Sequence, residues 1–234
     1  MKKKSRENVI EISGLYKDYR SDGLAVHALN GIELAVEKGE FSAIAGPSGS
    51  GKTTLLNLIG GIDRPDRGNI RVSGMDLNSM NARELSELRL NRIGFIFQAY
   101  NLIPVLTAVE NVEYVLLLQG VDKTERRERA EEMLCSVGLE NEMKRRPSEI
   151  SGGQQQRVAV ARAMVSNPEI ILADEPTANL DQKTGSALLD LMKKLNKESG
   201  VTFLFSTHDQ MVMKRAGRLI KISDGKILKG GRGS

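Results

Sequence analysis

The chain has 234 residues, enough for one large domain or a domain with a sizeable insertion and a substantial core. With 40% hydrophobic and 27% charged residues it has an ordinary globular composition, and its single cysteine excludes an internal disulfide. The net charge is only +4, and no stretch approaches the roughly 20 apolar residues that span a bilayer. Positive residues fall in short clusters such as Lys2-Lys3-Lys4, Arg126-Arg127 and Lys144-Arg145-Arg146, which read as solvated surface. Contact with an anionic membrane face or a partner is their second reading, and no nucleic acid is expected. No apolar run follows the basic start, so no secretory leader is expected.

Up to about Glu40 the alternation and turn signals suit antiparallel strands, Val9 to Tyr16 and Gly31 to Val36. His27 reads as surface. Phe41 to Ala45 is a short apolar run of the kind a buried parallel strand requires. It leads directly into Gly46-Pro47-Ser48-Gly49-Ser50-Gly51-Lys52-Thr53-Thr54, which fits G-x-x-x-x-G-K-[ST]. Glycines let backbone N–H groups turn towards phosphate oxygens, and the helix starting near Lys52 points its positive end at the same anion. Lys52 is expected to reach the β and γ phosphates of ATP, and the Thr53 hydroxyl to ligate Mg²⁺.

Asp66-Arg67-Gly68 opens a further β segment through Val72, and Ile93 to Phe97 reads as another buried strand. Leu102 to about Ser166 is charged and mostly helical, like an insertion within the α/β body. Cys135 sits in it on an amphipathic stretch and reads as a small core residue. Ile170 to Ala173 is again a buried strand, ending in Asp174 and Glu175. Two carboxylates at a strand end suggest a division of labour. Asp174 holds Mg²⁺ and Glu175 polarises the attacking water as general base. Val201 to Phe205 completes the set. Strands separated by helical patterns predict an α/β domain with a parallel sheet, whose ligands bind at the carboxyl ends of the strands.

Ile150-Ser151-Gly152-Gly153-Gln154, followed by Gln155-Gln156-Arg157, resembles the signature of ATP-binding cassette (ABC) ATPases, with isoleucine in place of the usual leading leucine. Ser151-Gly152-Gly153 opens a helix that stops at Asn167-Pro168, and such a helix start is a second anion site. Other family elements follow in order. Gln98 matches the Q-loop glutamine, Ala178-Asn179-Leu180-Asp181 the D-loop and His208 the switch histidine. The resemblance spans roughly residues 8 to 228. It implies a P-loop NTPase fold, with a RecA-like parallel sheet core, an N-terminal antiparallel β subdomain and an inserted α-helical subdomain. Residues 1–98 and 167–228 then form the ATP-binding core, 99–166 the helical and signature subdomain, and 229–234 a flexible tail of one domain.

The resemblance also implies roles. His208 contacts the γ-phosphate, and Gln98 senses Mg²⁺ and the attacking water. Tyr19 stacks on adenine, with Tyr16 as the competing choice. Stacking reads no base edge, so preference for ATP over GTP is expected to be weak. Ser151 to Gln154 complete an ATP site held by a second copy, in an ATP-dependent head-to-tail dimer, and Asp181 of the D-loop is a further nucleotide-binding residue.

Residues 91–104 and 171–181 look like those of the LolD/MacB/FtsE subgroup, although Ala178 stands where glycine is usual. That likeness implies an ATP-binding subunit on the cytoplasmic face of the inner membrane. It powers export or release of a substrate through a separate permease, docked near Gln98 to Glu113. Transmission of force without cargo is the alternative, and a soluble ABC ATPase acting on nucleic acid or ribosomes the weaker one.

Overall fold

The computed structural model describes residues 7–21 and 24–228, so Lys2-Lys3-Lys4 and the expected tail at 229–234 lie outside the described residues. The chain opens with β1 (Asn8–Ser21), β2 (Leu24–Glu37), β3 (Phe41–Ala45) and α1 (Lys52–Ile59). It continues through β4 (Arg67–Val72), β5 (Met75–Asp76), α2 (Ala82–Arg92) and β6 (Ile93–Ile96). Three helices follow, α3 (Ala108–Leu118), α4 (Lys123–Ser136) and α5 (Gly152–Met164). The last part holds β7 (Ile170–Asp174), α6 (Gln182–Ser199), β8 (Thr202–Thr207), α7 (Gln210–Arg215), β9 (Arg218–Ser223) and β10 (Lys226–Ile227).

Two sheets result. One is antiparallel, in the order β2-β1-β4-β5. The other runs β10-β9-β3-β8-β7-β6, parallel throughout except for β10. Both N-terminal strands run longer than the alternation predicts. Beyond Tyr16, Lys17, Asp18 and Tyr19 pair with Leu29, His27 and Val26 across the hairpin. This is a tertiary pairing that overrides weak local preference.

The parallel strands are apolar on both faces because both faces are covered. Successive side chains alternate between two cores. Phe41, Ala43, Ile171, Ala173, Phe203 and Phe205 join the core that includes residues of α3, α5 and α6. Ile44, Ile170, Leu172 and Leu204 join the one that includes residues of α1, β1 and β2. With no tryptophan in the chain, three phenylalanines supply the bulk on the first face. The Phe41 ring lies 5.5 Å from that of Phe203 and 4.7 Å from that of Phe205.

Cys135 corrects the sequence reading, since it is exposed. Ala130 and Leu134 are the buried residues of α4. Cys135 follows Leu134 directly and is turned about 100° around the helix from it, off the apolar stripe.

Phe203 is fully buried. Phe203→Ala is expected to cost about 3–5 kcal/mol, read as a lower urea midpoint with unchanged slope, and Phe203→Leu less than half of that.

Candidate nucleotide site

The loop between β3 and α1 is shaped by what cannot fit in it. A Cβ on Gly46 would lie 2.2 Å from the Ile222 carbonyl oxygen, and one on Gly51 2.5 Å from that of Ala28. Gly51 also caps α1 with φ 98°, a conformation side chains resist. The first-turn N–H groups of α1 have no partner within the helix and face the loop's concavity. Lys52 is buried, and its ammonium donates to the carbonyls of Gly46 at 2.8 Å and Pro47 at 2.9 Å. The cation therefore lies folded into its own loop. Ser50 is buried beside it, and its hydroxyl has no hydrogen-bond partner.

Register aligns the next groups. Ala45 pairs with Thr207 and Asp174 with Ser206, so β3, β8 and β7 end at one edge. There the Thr53 hydroxyl donates to both Asp174 oxygens, at 3.0 and 3.2 Å. A hydroxyl facing a carboxylate is a hard oxygen pair, the donor chemistry that Mg²⁺ accepts when water and phosphate fill its other positions. Among the described residues no cluster of three or more acidic, histidine or cysteine side chains competes for a metal.

Glu175 has φ 46°, left-handed for a residue with a side chain. That turn carries its carboxylate away from Asp174 and towards β8. Its carboxylate accepts from the His208 backbone N–H at 3.1 Å and from the Thr207 hydroxyl at 3.3 Å. His208 Nδ1 lies 2.6 Å from Glu175 Oε1. The two residues expected as base and switch are therefore one contact pair.

Gln98 follows β6 and is exposed. Its carbonyl accepts from the Asn179 side chain at 2.9 Å. Ser151 caps α5 in a reciprocal box with Gln154, at 3.3 and 2.9 Å. A Cβ on Gly152 would lie 2.8 Å from the Tyr100 hydroxyl, and one on Gly153 2.5 Å from the Thr184 methyl. Asp181 caps α6. The Thr184 hydroxyl, with the Thr184 and Lys183 backbone N–H groups, holds its carboxyl below the ordinary value. Asp174 ends β7, and Gln98, Glu175 and His208 follow the ends of β6, β7 and β8, three adjacent parallel strands, whereas Ser151 to Gln154 belong to a helix packed on the sheet's far edge strand, β6.

The two tyrosines differ. The Tyr19 hydroxyl donates to Asp63 at 2.7 Å and also interacts with Thr54 of the phosphate loop. Burial and Asp63 push its phenol up. Burial works to raise the Asp63 carboxyl, but hydrogen bonds from Tyr19 and Lys17 bring it below its ordinary value. Tyr16 instead lies beside Arg67 and Gly31. Sequence reasoning passed over Asp63, 44 residues from Tyr19, and over Arg162 on α5. Arg162 donates to the carbonyls of Tyr100 and Asn101, and burial lowers its guanidinium. Neither residue carries a local pattern, because each acts through a contact made only by folding.

Comparison with known proteins gives the family. The family model described as ABC transporter matches residues 29–178. An uncharacterised ABC transporter ATP-binding protein of Thermotoga maritima is 45% identical over 221 residues, 94% of either chain. The macrolide export ATP-binding/permease protein MacB of Mannheimia succiniciproducens is 45% identical over 94% of this chain, which spans 34% of MacB. The dimeric structure of the ATP-binding cassette MJ0796 of Methanocaldococcus jannaschii, in a post-hydrolysis state bound to ADP and Pi, superposes with a TM-score of 0.88. It has 43% identity and covers 96% of this chain and 100% of that one. Likeness of this depth along almost the whole sequence makes the chain a member of the ABC transporter family and an ATPase of ABC type.

Proposed function

We propose that this chain is the ATP-hydrolysing half of a paired motor that powers export or release of a substrate through a separate membrane permease. The observation that carries the reading is the Thr53–Asp174 contact, with Glu175 next in sequence, beside a loop shaped for phosphate. In this reading residues 46–54 hold the phosphates of ATP, and Lys52 exchanges two carbonyls for phosphate oxygens. Thr53, Asp174 and Gln98 hold Mg²⁺, which when bound neutralises charge on the β and γ oxygens. Glu175 takes the proton of the attacking water. His208 turns from Glu175 to the γ-phosphate, so that one movement frees the base and stabilises the charge on the transferred phosphoryl group. Tyr19 stacks on adenine, with Asp63 steadying its ring.

The signature residues Ser151 to Gln154, with Asp181, act on the nucleotide of a second copy. Sheet order supports this, because α5 packs on β6, three strands from β3. At about 4.8 Å per strand that is roughly 14 Å across the sheet. The dimeric state of the MJ0796 cassette supports it as well.

Among the described residues no helix is long and apolar enough to cross a membrane. Anchoring on the cytoplasmic face then falls to the permease, and the name of MacB joins an ATP-binding part to a permease. Residues 99–166 act as one helical arm, with the docking groove at Gln98 to Glu113. Val105, 71% exposed, is the apolar knob of that groove.

Glu175→Gln is expected to keep ATP affinity, lower turnover by about 10²–10⁴-fold and trap an ATP-bound dimer in sedimentation. Normal turnover in that variant would remove Glu175 as the base. Lys52→Ala should weaken nucleotide binding itself, measured by titration with ADP. Val105→Asp should abolish co-purification of the permease while the isolated chain keeps its ATPase rate, and retained co-purification would dismiss the groove.

A further inference from the structure

Between β6 and α3 the chain passes through two consecutive left-handed residues, Tyr100 at φ 59° and Asn101 at φ 50°. Neither is glycine, so this turn persists only because its surroundings hold it. Two anchors do so. On one side the Asn179 side chain donates to the Gln98 carbonyl at 2.9 Å. Asn179 stands just after β7 and its two carboxylates, so this anchor belongs to the catalytic edge of the sheet. On the other side the Arg162 guanidinium forks onto the carbonyls of Tyr100 at 2.9 Å and Asn101 at 2.5 Å. Arg162 lies in the last turn of α5, the helix whose first turn is the signature. The Tyr100 hydroxyl lies close against Gly152 in that first turn. One residue, Ala99, separates the two anchors.

A planar fork on two adjacent carbonyls transmits displacement as well as holding position. Residues 100–101 are thus tied to the end of α5 and residue 98 to the catalytic edge, and the Tyr100 N–H on the Phe97 carbonyl at 3.2 Å and the Asn101 N–H on the Ala99 carbonyl at 2.6 Å join the two. The geometry points to Arg162 as the positioning residue that makes the signature helix follow Gln98, through the hydrogen-bonded turn at residues 97–101. Arg162 touches neither nucleotide nor water in this assignment. Its work is to link the nucleotide state of one copy's site to the Ser151–Gly153 surface that the same copy offers to its partner. The inference rests on the paired-site reading above.

The test uses the full chain in the Glu175→Gln background, with Mg·ATP added. Two readouts are taken: dimer formation by sedimentation, and hydrogen exchange of residues 98–101 and 151–157. In the parent, ATP is expected to slow exchange in both segments and to form the dimer. Arg162→Met keeps the stem's bulk and removes the donors. It is expected to bind ADP within twofold of the parent and to dimerise at least tenfold more weakly, and ATP should slow 98–101 but no longer 151–157. Arg162→Lys, a single point donor, should fall between the two. Parent-like dimerisation with both segments still slowing in Arg162→Met overturns the inference, as does a parent in which the two segments never respond together. If Arg162→Met loses ADP binding, the lysine variant decides, and parent-like coupling there overturns it. A parent that fails to dimerise sinks the paired-site reading instead, while the exchange comparison still decides the role of Arg162.

Discussion

The register of β3, β8 and β7 is the constraint on which the site depends. It sets Ala45 against Thr207 and Asp174 against Ser206, and so brings the phosphate loop, the acidic pair and His208 to one edge. The two cores enforce that register, because a slip of one residue would send Phe203 and Phe205 to the face built for Leu204. The contact between Thr53 and Asp174 is thus inherited from aliphatic and phenylalanine packing on both sides of the sheet.

Around that edge the reactive groups are occupied by one another. Lys52 is held by two carbonyls, the Thr53 hydroxyl by Asp174 and Glu175 by His208 and Thr207. Ser151 and Asp181 spend their oxygens on helix caps. An unpaired polar group in such a setting costs about 1–3 kcal/mol, so these groups are held best when they pair with one another. In the proposed function nucleotide acts by exchange, replacing internal partners with phosphate oxygens, and its net gain at each contact is smaller than the contact alone.

Much of this was legible in the sequence. Phe41 to Ala45 is legible to the residue, because a short, mostly apolar run between polar turns has one reading once a phosphate loop follows it. The loop, the acidic strand end and the signature are local patterns whose spacing is their chemistry. The reading failed or fell silent where the deciding contact was distant. Cys135 lies next to a buried leucine in sequence but a third of a turn away around α4. Asp63 matters only because the chain returns beneath Tyr19, and Arg162 only because the end of α5 meets the turn after β6. The pairing of Glu175 with His208 was also invisible, since each had been assigned its role separately.

Cys135 has one more consequence. It is the chain's single thiol, and it stands exposed on α4, outside the apolar stripe that holds that helix in place. A maleimide-linked dye or spin label therefore goes to one known point on the helical region without any engineered cysteine and without touching the phosphate loop. Two labelled copies would then carry a matched pair of beacons, and the separation between them could be followed as ATP is added and consumed.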